Sequence, residues 1–151
     1  MKPTALASRI SLLVLAVTLL CGCQSTKQPG SQSHASVQLN NRPLSEVQAT
    51  TATVFREDGY RLAFSSAEEM VFERVGSRAD ALKWGGWTGN GVIMRVKVKF
   101  NALGESAYLL QADAYAVQNS DDPFFQTESR NILLNRRPYQ QLLNEVAKRL
   151  Q

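Results

Sequence analysis

Acid–base chemistry near neutral pH most often runs through histidine, and this chain carries one, His34. It stands among Ser, Gln, Gly and Asn residues, with no rigid neighbour in sequence to orient an imidazole, and reads as a solvated linker residue. A Ser-His-Asp triad therefore finds no histidine in residues 42–151, and no Gly-x-Ser-x-Gly elbow occurs. A serine–lysine arrangement stays open. Carboxylates come as the adjacent pairs Glu57-Asp58, Glu68-Glu69 and Asp121-Asp122. Hydrolytic carboxylates must converge on a pocket from separate elements, whereas each of these pairs falls at an expected turn or helix end, where acidic side chains bond locally. Asp121-Asp122-Pro123 offers oxygens to calcium, but the dense ligand spacing of an EF-hand loop is absent. No metal or other cofactor site is expected.

Two further stretches have chemistry in their residue types. Lys83-Trp-Gly-Gly-Trp-Thr-Gly-Asn-Gly91 has the glycine content of a phosphate-cradling loop. A nucleotide loop, however, follows a strand and opens a helix, whereas this one precedes a strand and ends in no Lys-Ser or Lys-Thr pair. Its glycines suit turns, and Trp84 and Trp87 are either anchors for a partner or glycan or caps on the end of the core. The second stretch is Arg95, Lys97 and Lys99, spaced by two along one strand so that three cations share a face. They either pair with acids on neighbouring strands or meet an anionic partner.

The elements that position these residues follow from periodicity. Leu44, Val47, Thr51, Val54 and Phe55 recur at helical spacing behind Pro43, with Gly59 as the stop. Pro138 opens a second helix whose stripe is Tyr139, Leu142, Leu143, Val146, Ala147 and Leu150, with Lys148 and Arg149 in the last turn. Between them the period drops to two. Tyr60–Phe64 and Met70–Glu73 read as a hairpin, Val92–Phe100 as the clearest strand, and Ala107–Val117 as its return after a turn at 101–105. Ala112, Ala114 and Ala116 leave room for a helix to approach. The expected fold is α+β, an antiparallel four-stranded sheet with an N-terminal and a C-terminal helix packed on one face. The other face, with Arg61, Glu73, Arg95, Lys97, Lys99, Gln111, Asp113 and Tyr115, is expected to be open.

The start of the chain has the parts of an export address. Lys2 and Arg9 precede an apolar run from Ile10 to Leu20, and Leu20-Cys21-Gly22-Cys23 closes it. Ile10 to Cys23 is 14 residues, against roughly 20 for a membrane span. Leu20, Gly22 and Cys23 resemble the lipobox of bacterial lipoproteins, matching its leading apolar position, the small residue before the cut and the lipidated thiol. Cys21 departs from the usual Ala, Ser or Thr. The resemblance covers only these first residues. It implies cleavage after Gly22, acylation of Cys23, membrane attachment through that lipid and no free thiol in the mature chain. Gln24 and Ser25 follow the cysteine where an Asp commonly signals inner-membrane retention, so the resemblance further implies the outer membrane, with the domain in the periplasm.

Removing residues 1–22 takes Lys2 and Arg9 from the 17 basic side chains and leaves 15 against 13 acidic ones, a net charge of +2 rather than +4. That balance is too mild to point to nucleic acid. Residues 23–41 are Ser-, Gln- and Asn-rich and read as a flexible tether, and 42–151 as one small domain. The functional expectation is a non-enzymatic envelope lipoprotein whose domain binds or supports an outer-membrane protein, lipopolysaccharide or peptidoglycan. The alternative is an envelope enzyme or small-ligand carrier with a pocket between sheet and helices.

Overall fold

The computed structural model describes residues 33–83, 92–118, 126–130 and 136–151. Along the chain run β1 (Ala35–Asn40), α1 (Leu44–Glu57), β2 (Arg61–Ser65), β3 (Glu69–Val75), α2 (Arg78–Lys83), β4 (Ile93–Gly104), β5 (Ala107–Gln118), β6 (Thr127–Arg130) and α3 (Arg137–Arg149). The strands form one antiparallel sheet in the order β1-β5-β4-β3-β2, with β6 also paired to β5. The α+β class stands. The sheet has six strands rather than four, because β1 and β6 divide the outer edge of β5 between them: β1 pairs Ala107–Ala112 and β6 pairs Tyr115–Gln118.

The tether expected over 23–41 therefore does not reach 41. Ala35, Val37 and Leu39 alternate with Ser36, Gln38 and Asn40, the strand period, and Ala35 and Leu39 bury their side chains in the core. Gln140 of α3 fastens this strand twice, donating from Nε2 to the Ser36 carbonyl (2.9 Å) and accepting the Ser36 N–H at Oε1 (3.2 Å). The domain includes residues from Ser33 onward.

Helix α1 turns Val47, Thr51, Val54 and Phe55 inward, at the spacing of one helical face. Thr51 is tolerated there because its hydroxyl donates to the Val47 carbonyl at 2.7 Å, so no polar group is left bare. The helix ends at Glu57, and Gly59 just past its cap takes a φ of +84°, a conformation that side chains disfavour. Phe55 stacks on Phe72 of β3 with centroids 4.4 Å apart. Helix α3 buries Tyr139, Leu143 and Val146 into the same core, which also holds Val96, Val98, Leu110, Ala112 and Ala114 from the sheet. Both long helices thus cover one face, and the alanines of β5 permit that approach.

Helix α2 was not expected. A reciprocal cap starts it: Asp80 Oδ2 accepts the Ser77 N–H at 2.8 Å, and Ser77 Oγ accepts the Asp80 N–H at 3.2 Å. Gly76 just before it approaches β4 closely, and an added Cβ would meet the Val92 carbonyl oxygen at 2.8 Å.

The β2–β3 hairpin is present, with a correction at its edge. A bulge between Leu62 and Phe64 sets them opposite Phe72 and Val71, which lie on opposite faces of β3. Both stay exposed, because β2 is the outermost strand. The second sheet face is not uniformly open either. By alternation it carries Glu73, Leu109 and Val117, and all three are buried.

Candidate functional site

Glu73 on β3 is the hub of the second face. Its side chain is only 8% exposed, and two arginines hold it: Arg61 from β2 at 2.9 Å and Arg95 from β4, whose Nη2 lies 2.6 Å from Oε1. The register places Arg61, Glu73 and Arg95 in one cross-strand row, so alternation alone brings the charges together. Arg95 also reaches Glu128 of β6 at 3.7 Å, and Lys97 meets the same carboxylate at 2.8 Å. The Lys97 ammonium sits 4.6 Å from the Tyr115 ring centroid, a cation–π contact.

Next along the face is Asp113 of β5. Its Oδ1 accepts from Arg130 of β6 at 2.7 Å and from the His34 backbone N–H at 3.2 Å, and faces His34 Nδ1 at 3.2 Å. Burial pushes the Asp113 carboxyl up, but the hydrogen bonds from Arg130 and His34 outweigh it, and the group titrates below the usual carboxylate range. A group whose folded pKa is depressed contributes stability above its unfolded value and loses it as pH falls through the folded one. Thermal stability should therefore drop as pH falls below about 4, and Asp113→Asn should flatten that limb of the profile. An unchanged acid limb in differential scanning calorimetry would show that these hydrogen bonds contribute nothing.

His34 corrects the sequence reading most. It is not solvated but 7% exposed, set just before β1 where that strand gives way to β6 along β5. Its backbone N–H also reaches the Ala112 carbonyl at 3.0 Å, Nδ1 lies 3.4 Å from the Ala114 nitrogen, and its ring meets Tyr139 edge-on at 6.2 Å.

The cationic stripe is split by the structure. Arg95 and Lys97 are engaged by Glu73 and Glu128 and are only 19% and 28% exposed. Lys99 is exposed, pairs in register with Glu69, and makes no ion pair among the described residues. It lines a surface cavity of about 710 Å³ with Glu68, Glu69, Ser66 and Asn101. Trp84, Trp87, Asp121-Asp122 and Cys23 lie outside the described residues. Among the described residues no cluster of three or more His, Cys, Asp or Glu is placed to hold a metal ion, and no helix is long and apolar enough to cross a membrane. Sequence reading placed Glu73 on the face of the stripe but missed Glu128, because that acid arrives on a strand of four residues that carries no apolar alternation.

No protein-family model matches this chain, and no curated protein matches it. Among solved structures, the adenylate sensor from AMP-activated protein kinase, in complex with 5-aminoimidazole-4-carboxamide 1-β-D-ribofuranotide, aligns over 78% of this chain and 95% of its own. The sequence identity is 8% and the TM-score 0.44, a likeness that carries no inference for this chain.

Proposed function

We propose that this chain is a lipid-anchored envelope protein whose α+β domain stands close to the outer membrane, on its periplasmic side, and binds or supports another envelope component without catalysis of its own. The observation that carries this reading is the ordered run of Lys2 and Arg9, the apolar stretch Ile10–Leu20 and the Leu20-Cys21-Gly22-Cys23 ending. Two structural features support it. The layer between sheet and helices is packed by Phe55, Phe72, Val96, Leu110, Leu143 and Val146, each below 2% exposed, so among the described residues a contact surface lies on the outside of the domain. The second sheet face pairs Arg61, Arg95, Lys97 and Arg130 laterally with Glu73, Glu128 and Asp113, which leaves Lys99 as the exposed cation of the stripe.

Ser33 is ten residues beyond Cys23 in sequence, and ten residues span at most about 36 Å even when fully extended. A domain so tied cannot cross the periplasm, so its partners are outer-membrane proteins, lipid headgroups or adjacent peptidoglycan.

Mass spectrometry of the mature N-terminus tests the anchor. The expected result is cleavage behind Gly22, with Cys23 carrying a diacylglyceryl thioether and an N-acyl chain, since stable anchoring takes more than one chain. A bare Cys23, or a different cut, would sink the reading, and Cys23→Ser should leave the precursor unprocessed. For partner contact Lys99→Glu is the informative change, because reversing Arg95 or Lys97 would also break the ion pairs within the sheet. Envelope cross-links that survive Lys99→Glu would remove Lys99 from the contact surface.

A further inference from the structure

The seam on the outer edge of β5 is closed by an unusual contact. β1 covers that edge up to Ala112 and β6 resumes at Tyr115, leaving Asp113 and Ala114 between them, and His34 fills the gap. Its Nδ1 faces an amide donor, the Ala114 N–H at 3.4 Å, and an anionic acceptor, Asp113 Oδ1 at 3.2 Å. One ring nitrogen cannot serve both. With a lone pair it accepts from Ala114 and points electrons at a carboxylate; with a proton it donates to Asp113 and strands the amide.

We propose that His34 is a proton-operated clasp on the β1–β6 seam: neutral, it holds the Ala114 amide and closes the edge of β5, and protonated at Nδ1 it binds Asp113 and frees that amide. The proton comes from solvent and forms only the Nδ1–H bond. Among the described residues, the charged and titratable groups facing the ring include Asp113 from β5, Arg130 from β6 through that carboxylate, and Tyr139 from α3, with Lys97 of β4 in register beyond Asp113. Arg130 at 2.7 Å and the His34 backbone N–H at 3.2 Å hold Asp113 ionised against its burial whatever the ring's state, so it is available as an acceptor when the ring gains its proton. Arg130 shares the same oxygen, so the clasp also bears on β6 where it pairs the edge of β5. That the seam lies where the chain arrives from a lipidated end rests on the proposed function; the proton chemistry does not.

Because His34 is the chain's one histidine, nitrogen NMR of the imidazole in the full chain in detergent micelles reads it without ambiguity. The expected result is a bare Nδ1 at high pH, a protonated one at low pH, and an Ala114 amide shift with the same midpoint. The exchange protection of that amide should fall about fivefold across the transition. A proton on Nδ1 at both extremes, or an Ala114 amide that ignores the ring, overturns the proposal. His34→Gln supplies both a donor and an acceptor and should abolish the transition, and a transition that persists in it assigns the effect elsewhere. Should that variant fail to fold, the wild-type titration decides alone. The titration reads the same whether or not Cys23 is acylated, so an unmodified Cys23 sinks the anchor and leaves the clasp standing.

Discussion

Leu143→Ala should lower the unfolding free energy by about 2–5 kcal/mol. Leu143 is wholly buried in α3 and belongs to the cluster that joins Val146 to Val96, Val98 and Ala114 of the sheet. Truncation there removes transfer free energy and leaves a cavity that a sheet on one side and helix backbone on the other cannot collapse to fill. For a domain of this size the loss corresponds to a fall in Tm of roughly 10–20 °C. Leu142 is only partly buried on the flank of the same stripe, so Leu142→Ala should cost less. Urea titration of both variants checks the order, and a Leu143→Ala protein within 1 kcal/mol of wild type, a bound well below the cavity cost, would mean that α3 does not hold the sheet.

Glu73→Ala should cost about 3 kcal/mol, the lower end of what removing one partner of a buried ion pair costs. The carboxylate is nearly enclosed, and among the described residues Arg95 without it keeps a single ion pair, the 3.7 Å contact to Glu128. Arg61 is 73% exposed and returns to water at little cost, which holds the figure down. The diagnostic comparison is Glu73→Met with Arg95→Met together, since replacing both charges with apolar groups removes the stranded cation. The double variant should be more stable than Glu73→Ala. If instead the two changes simply add in a double-mutant cycle, the pair is not coupled and the hub has no energetic meaning.

Much of this architecture is written in side-chain periodicity. The stripes of α1 and α3 and the alternation of β3, β4 and β5 decide which faces are buried, because each element has one way to hide its apolar side. Two departures come from composition masking pattern. Ala35, Val37 and Leu39 alternate as a strand should, yet the polar residues around them resemble a linker, and with β1 mistaken His34 lost its surroundings. The cap Ser77-Arg-Ala-Asp80 likewise announces α2 in four residues. Other features have no local signature. Thr127-Glu-Ser-Arg130 becomes a strand only because β5 offers an edge to it, and the bulge that turns Phe64 away from Leu62 belongs to the pairing with β3 rather than to β2 itself. The stripe of Arg95 and Lys97 was legible as charge; that it is neutralised at home depends on Glu73 and Glu128, whose positions only the register supplies.

The divided edge of β5 sets a timetable for folding. Strands β2 to β5 follow one another along the chain and zip as neighbours, whereas β1 must find β5 across a separation such as the 79 residues between His34 and Asp113. Loop closure over that distance is paid before any contact is returned, so β1 docks after the central strands have formed. Until then the Ala107–Ala112 stretch of β5 is an unpaired edge, the kind of surface that recruits a second chain and aggregates. Pulse-labelled hydrogen exchange should find the amides of β5 that face β4 protected first and those that face β1 later, and the reverse order would mean that the N-terminal strand is part of the nucleus. A chain built this way stays vulnerable until β1 has come back to the sheet.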